Sequence, residues 1–169
     1  MRRVLTLAFA AMLAPASVHA QPRLMVGGGI TAPNGDATAT METGYHWQAS
    51  LHVDIPTLPV AFRADGGYHR LNSPNPGAAQ NAILNGVLSL VYILPGVGLQ
   101  PYLLAGWGTY RVEAGPEGMT EAITDPGYHG GFGVAIGGLG LGAYAEIRYV
   151  QINAATTTRL IPFTIGLRL

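Results

Sequence analysis

The sequence predicts an all-β fold, a closed, antiparallel, eight-stranded up-and-down β-barrel that spans a membrane. Three observations predict it: an export-like N-terminus, strand-like runs joined alternately by short and long connections, and a last strand that is apolar on one face. A sheet in a bilayer must pair all of its backbone polar groups, and closure into a barrel is how a sheet achieves this.

The first residues have the features of a secretory signal peptide. Two arginines precede an apolar run over residues 4–13, and Val18-His19-Ala20 places small residues at the −3 and −1 positions of a cleavage site. A membrane anchor would need about 20 apolar residues, more than this run contains. We therefore expect residues 1–20 to be removed and residues 21–169 to form one outer-membrane β-barrel domain.

Composition excludes several other classes. From Gln21 onward the chain has seven arginines, no lysine and nine acidic residues, a formal charge of −2, and the whole chain has no cysteine. Nucleic-acid binding needs a basic patch, so no nucleic-acid partner is expected. Without cysteine there is neither a disulfide nor a thiol for a lipid anchor.

Eight strands are predicted, at about 22–32, 43–54, 59–71, 80–94, 99–113, 127–137, 141–152 and 159–169. The connections after the second, fourth and sixth strands are short. The others are longer and polar, and the one after the fifth strand covers residues 114–126. Short turns on one side and long loops on the other are typical of outer-membrane barrels, and they place both termini on the periplasmic side.

Most strands alternate between an apolar face and a face with polar or small residues, as a barrel wall with lipid outside requires. The faces predicted to point inward include His46, Gln48, Ser50, His52 and Asp54 in the second strand, Arg63, Asp65 and His69 in the third, His129, Gly131, Gly133 and Ala135 in the sixth, Glu146 and Arg148 in the seventh, and Pro162, Thr164, Gly166 and Arg168 in the eighth. In the fifth strand Trp107 and Tyr110 have opposite parity, so one points inward or a bulge intervenes.

Aromatic residues on the apolar faces predict two belts at the membrane–water interfaces. The belt predicted near the outer loops contains Tyr45, Trp47, Tyr68, Tyr128 and Tyr149. The belt predicted near the short turns contains Tyr92 and Tyr102.

Three segments resemble the small outer-membrane β-barrel family that includes the transmembrane domain of OmpA and the eight-stranded OmpX type. They are residues 101–108 (PYLLAGWG), 145–149 (AEIRY) and 162–169 (PFTIGLRL). The resemblance implies that the mature chain lies in the outer membrane and that the barrel-assembly machinery reads the last strand. That strand usually ends in an aromatic residue, whereas this chain ends in Leu169.

The inward charges are the candidate site, a structural charge network in the lumen: Arg63, Asp65, Glu146, Arg148 and Arg168. An eight-stranded barrel is narrow enough for side chains to fill its interior, so a plugged lumen is expected. The alternative, a conducting path, would need a cleared lumen. We expect Glu146→Ala to destabilise the barrel more than loss of a loop carboxylate such as Glu117.

The spacing of the histidine, serine and aspartate residues along the strands gives little support to a metal site or a catalytic site. His46 and His52 are separated by about 20 Å of strand, too far for one metal ion, although His69 and His129 could approach each other from different strands. The candidate catalytic pairs are Ser50 with His46 or His52, and Asp65 with His69. Residues two to four apart on a strand lie about 7–13 Å apart, so only pairing across strands could join such groups. No metal, cofactor or catalytic residue is therefore predicted.

The predicted function is that of a non-enzymatic outer-membrane protein with a structural role in the envelope, extended by surface interaction through the outer loops. Its expected partners are outer-membrane lipid and the barrel-assembly machinery, and it is expected to be a monomer. Two alternatives stay open at this point: a soluble periplasmic, lipocalin-like lipid-binding barrel, and an outer-membrane lipid hydrolase.

Overall fold

A computed structural model describes residues 22–74, 81–114, 121–137, 141–154 and 156–169. The predicted signal peptide lies outside the described residues, so its removal stays a prediction. None of the described residues forms a helix long and apolar enough to cross a membrane.

The eight strands form one closed barrel in which each strand pairs antiparallel with the next and the last pairs with the first. They are β1 (Pro22–Asn34), β2 (Glu42–Asp54), β3 (Val60–Asn72), β4 (Asn81–Ile93), β5 (Leu99–Ala114), β6 (Glu121–Gly137), β7 (Gly142–Ile152) and β8 (Thr158–Arg168). The predicted fold class is confirmed.

The barrel has two unlike ends. The turn end carries the start of β1, the end of β8 and the short connections after β2, β4 and β6. In the first of these the Ile55 N–H donates to the Val60 carbonyl at 3.0 Å, and Thr57 has a φ of 70°. The predicted tight connection at residues 138–140 lies outside the described residues.

The loop end carries the longer connections. Between β1 and β2 the chain forms a short 3-10 helix, Gly35–Ala39, which the sequence analysis did not predict. Met41, just after this helix, turns into the barrel and joins a buried apolar cluster. The first loop therefore helps to cover the lumen at this end.

The predicted start of β6 is wrong. The strand begins at Glu121, not near residue 127, and it pairs with β5 from Ala114↔Glu121 down to Thr109↔Pro126 and beyond. Residues 114–126 were expected to form a loop that ends at Pro126. The register of β7 with β6 starts with Ile152 opposite Gly127, so the part of β6 before Gly127 is a sheet edge. Edge strands tolerate proline because a missing N–H there breaks no ladder bond.

Large apolar side chains point outward around the wall, with examples on every strand such as Ile30, Trp47, Phe62, Leu88, Leu103, Phe132, Ile147 and Ile165. A soluble lipid-binding barrel would enclose its apolar face, so the observed orientation contradicts the lipocalin-like alternative. In β5 the pairing with β4 is continuous, Trp107 is 67% exposed, and Tyr110 is 2% exposed. Tyr110 is therefore the inward residue of the two, and no bulge intervenes.

One belt residue was misplaced. Tyr102 was predicted to face lipid near the turn end, but it is 6% exposed and points into the lumen. Its hydroxyl donates a hydrogen bond to the Glu146 carboxylate, and a buried tyrosine needs such a partner. Tyr92, predicted for the same belt, is exposed on the outer face.

The lumen is filled in three layers. The loop-end apolar layer contains Met41, Leu71, Ile83, Val87, Tyr110, Val150, Ile152 and Leu160. The apolar layer nearer the turn end contains Met25, Ala61, Val91, Tyr102, Leu104, Ala135 and Tyr144. Between them lie the buried charged and polar side chains that form the candidate site.

Candidate functional site

Four of the five predicted lumen charges come together. Arg63 and Asp65 extend from β3, and Glu146 and Arg148 extend from β7 on the opposite side of the barrel. Both pairs are two residues apart on one strand, so each pair shares the inward face. All four side chains are buried.

The four groups form a ring of alternating charge. Arg63 contacts the Glu146 carboxylate through Nη1 at 2.9 Å and through Nη2 at 3.1 Å, and its Nε lies 3.0 Å from Asp65 Oδ1. Arg148 contacts Asp65 Oδ2 through Nη1 at 3.0 Å and Glu146 through Nε at 2.5 Å. Each carboxylate thus faces both guanidinium groups, and the ring has no net charge.

Two neutral hydroxyl groups also donate hydrogen bonds to the carboxylates of the ring. The Tyr102 hydroxyl donates to Glu146 Oε2 at 2.8 Å, and the Ser89 hydroxyl donates to Asp65 Oδ2 at 3.4 Å. Hydrogen bonds to buried charges offset part of the cost of removing those charges from water. The ring and its donors connect β3, β4, β5 and β7 across the lumen.

Two buried histidines, His46 and His69, contact one another in the polar layer. His46 on β2 and His69 on β3 are opposite one another in the strand register and stack with ring centroids 5.0 Å apart. Thr31 Oγ1 lies 2.9 Å from Nδ1 of His46 and 2.8 Å from Nδ1 of His69, and Thr164 Oγ1 lies 2.9 Å from Nε2 of His46. The histidines are therefore bound by threonine hydroxyls.

The structure does not join the catalytic pairs considered from the sequence. Ser50 Oγ forms no hydrogen bond to a histidine among the described residues, and the hydroxyls of Thr31 and Thr164 contact the rings of His46 and His69. Across the described part of the chain, no group of three His, Cys, Asp or Glu side chains could hold a metal ion.

The structure does join a serine and a histidine that the sequence analysis did not pair. Ser89 Oγ on β4 lies 3.0 Å from His129 Nε2 on β6, and both residues are buried inside the lumen. Parity indicated that His129 points inward, but it gave no height within the barrel. Nδ1 of His129 has no hydrogen-bond partner in the described structure, so no third residue orients the ring as in a hydrolase triad.

Arg168 lies apart from the ring. It extends from the end of β8, is half-buried, and takes part in none of the ion pairs between described residues. At the same end of the barrel, Arg23 and His52 contact the carboxylate of Asp54 at 2.8 and 3.1 Å. The predicted five-residue network is thus a four-residue ring together with a separate arginine at the turn end.

A closed eight-stranded antiparallel barrel with an apolar outer face and an ionic interior defines a small integral membrane β-barrel. The sequence model of the outer membrane protein β-barrel domain family matches residues 4–167, and the chain belongs to that family. Among curated proteins, none matches the sequence.

Three solved structures share the fold. Neisserial surface protein A is 17% identical with a TM-score of 0.72, and the match covers 88% of this chain and 96% of that one. Ail, the attachment invasion locus protein of Yersinia pestis, is 10% identical with a TM-score of 0.63, covering 88% and 97%. The N-terminal β-barrel domain of Pseudomonas aeruginosa OprF is 14% identical with a TM-score of 0.55, covering 89% and 100%.

Proposed function

We propose that this protein is a non-enzymatic structural protein of the outer membrane whose lumen does not conduct. The observation that carries the proposal is the layered filling of the lumen, in which a neutral ion ring lies between two apolar clusters. An eight-stranded barrel has room for side chains but not for side chains and a water-filled channel together.

In this proposal the turn end faces the periplasm and the loop end faces the exterior. The signal peptide is removed at export, the barrel-assembly machinery inserts the chain, and the monomer contacts outer-membrane lipid through its apolar wall. The short turns, the start of β1 and the end of β8 lie at one end of the barrel and support this orientation, as does the family to which the chain belongs.

Conductance tests the closed lumen directly. The full mature chain, refolded and inserted into planar bilayers, is expected to give no stable current steps, whereas a sixteen-stranded porin in the same bilayers gives them. Correct folding is checked by heat-modifiable migration on a gel. Reproducible steps from the folded protein would contradict the proposal.

Lipid turnover tests the absence of enzymatic activity. The refolded barrel is incubated with radiolabelled phospholipid or lipopolysaccharide, and we expect no release of acyl chains. The Ser89→Ala variant is the matched control, because Ser89 and His129 are the serine and histidine that the described structure brings into hydrogen-bond contact. Turnover by the wild type that is lost in Ser89→Ala would overturn the proposal.

Surface interaction is a second candidate role. The β5–β6 pairing continues past the outward-facing pair Trp107↔Tyr128 to Ala114↔Glu121, which is about 20 Å of further strand. The name of the structural neighbour Ail refers to attachment, which suggests an adherence assay. Cells carrying a barrel with residues 115–120 replaced by a Gly-Ser segment of equal length are expected to adhere less than wild-type cells. Equal adherence at equal surface levels would rule this role out.

A further inference from the structure

One side of β6 has no neighbouring strand at the loop end. β7 pairs with β6 only as far as Ile152 opposite Gly127, whereas β5 pairs with β6 up to Glu121. Residues 121–126 of β6 therefore form an edge of the sheet, and none of the other described strands lies beside them. An exposed edge of this kind is a template for pairing with another chain.

The open side of this edge presents backbone groups to a partner. The Pro126 carbonyl accepts a hydrogen bond from the Asn153 N–H at 2.9 Å, so it points away from β5. The N–H and C=O of a residue point to the same side of a strand, and the side alternates along the chain. The backbone groups of Ala122 and Thr124 therefore point to the open side as well. Both residues are exposed, and among the described residues no backbone group bonds to that side of them.

A second copy of this chain does not suit the edge. In the antiparallel register that uses the free groups of both copies, Ile123 lies on the twofold axis and Glu121 of each copy lies opposite Asp125 of the other. Like charges that lie directly opposite one another destabilise a strand pair. The acidic residues therefore oppose self-pairing, and a partner with basic residues at those positions avoids this repulsion.

The neighbouring end of β5 does not neutralise this charge. Arg111 is the one basic residue among residues 109–114, and it forms an ion pair with Glu113 at 2.8 Å. We propose that the β6 edge binds an extended peptide segment of a partner protein by strand addition, with an apolar side chain opposite Ile123 and a basic side chain two residues to each side. Ile123 is 59% exposed and offers the apolar contact. This inference deepens the surface-interaction role proposed above and rests on it.

A short synthetic peptide tests the proposal. The probe is fluorophore-labelled Thr-Lys-Thr-Val-Thr-Lys-Thr, whose valine fits opposite Ile123 and whose lysines fit opposite the two acidic positions. It is titrated with the full mature chain in an uncharged maltoside detergent at constant low ionic strength, and binding is followed by fluorescence anisotropy. We expect saturable binding, about tenfold tighter than that of the same peptide with glutamate in place of both lysines.

Methylation of the peptide backbone distinguishes strand addition from simple charge attraction. With the valine opposite Ile123 in an antiparallel pair, the two threonines beside the valine direct their N–H groups at β6. Methylating those two nitrogens is expected to weaken binding about tenfold, because two hydrogen bonds are lost. Methylating the valine nitrogen, which points away from β6, is the matched control and is expected to leave binding unchanged.

Variants of the barrel test the same contacts from the other side. Thr124→Pro removes a free N–H without removing a bond to β5, and it is expected to weaken binding about fivefold. Asp125→Asn is expected to weaken binding about threefold. Glu42→Gln, the same loss of charge at an exposed position at the loop end of β2, is expected to leave binding unchanged. Heat-modifiable gel migration shows which variants are folded.

Four results would overturn the inference. They are no saturable binding of the lysine peptide, equal binding of the glutamate peptide, equal binding after methylation of both threonine nitrogens, and dimerisation of the barrel that competes with the peptide. The last result would assign the edge to a second copy. If replacement of residues 115–120 lowers adherence while the peptide does not bind, the surface role stands and strand addition at β6 is wrong.

Discussion

Glu146 receives hydrogen bonds from three different side chains, those of Arg63, Arg148 and Tyr102. Deleting its carboxylate leaves two guanidinium groups sharing the single carboxylate of Asp65 in a buried site. The energetic cost comes mainly from this uncompensated positive charge, since an intact buried ion pair contributes little net stability compared with apolar packing.

We predict that Glu146→Ala lowers the free energy of unfolding by roughly 3–5 kcal/mol. The matched control is Glu113→Ala, since Glu113 forms an exposed ion pair with Arg111 and such pairs contribute about 0–1 kcal/mol. Urea unfolding of both variants in lipid vesicles, followed by tryptophan fluorescence, measures the difference. Equal unfolding midpoints for the two variants would show that loss of the Glu146 carboxylate does not destabilise the barrel by this amount.

Face parity predicted that Arg63, Asp65, Glu146 and Arg148 point inward, because the two-residue period of a strand is a local property. Parity could not predict that these four meet, since height in the barrel depends on strand tilt and stagger. The place of Arg168 at the turn end follows from its position at the end of the last strand. Tyr102 shows the other limit. A tyrosine is typical of an interfacial belt, but Tyr102 lies level with Glu146 across Gly133 of β6, and this gives its hydroxyl an internal partner.

At the scale of single elements, the β2–β3 turn contains an unfavourable backbone conformation. Thr57 is the only non-glycine residue in the described ranges with a positive φ, and a β-branched side chain disfavours that region. The turn is nevertheless closed by hydrogen bonds from Ile55 N–H to Val60 and from Leu58 N–H to Ile55. The sequence therefore tolerates strain here that a different residue would relieve.

We predict that Thr57→Gly raises the free energy of unfolding by about 1 kcal/mol, because glycine adopts positive φ without steric cost. Thr109→Gly, the same substitution at an exposed position inside β5, is expected to lower it by roughly 0.5–1 kcal/mol. The midpoints of urea unfolding in lipid vesicles show whether each variant is more or less stable than the wild type. Destabilisation by Thr57→Gly would refute the argument from strain.

The strands themselves were largely predictable, because alternation and turn residues are visible within each segment. The extension of β6 to Glu121 was not, since residues 121–126 are held as a strand by pairing with the far end of β5. The 3-10 helix at Gly35–Ala39 was missed for a similar reason. Its packing against β8 is a tertiary contact that the local sequence does not encode.

At the scale of the whole molecule, the apolar wall faces outward and the ionic groups face inward. The chain has two tryptophans, Trp47 and Trp107, and these are 57% and 67% exposed. They lie on β2 and β5 and therefore sample two different parts of the wall. This provides a test of the orientation that needs no added label.

We predict that lipids with brominated acyl chains quench the fluorescence of both tryptophans, whereas acrylamide in the aqueous phase quenches them weakly. Trp47→Phe isolates the signal of Trp107, and Trp107→Phe isolates that of Trp47. The protein unfolded in urea serves as the control that acrylamide reaches both rings. Strong aqueous quenching of the folded protein, without lipid quenching, would contradict the outward orientation.

The seam between β1 and β8 determines when the molecule can be completed. Met25 pairs with Arg168 and Asn34 pairs with Arg159. The free edge of β1 therefore cannot be paired until β8, the last strand, has been synthesised. Until then both have an unpaired edge, and His46 lacks the hydroxyl that Thr164 brings to it. Contacts between such distant parts of a chain form slowly, so an unfinished chain exposes adhesive edges for the whole interval. Protection of those edges during export is therefore a requirement that follows from the way this barrel closes.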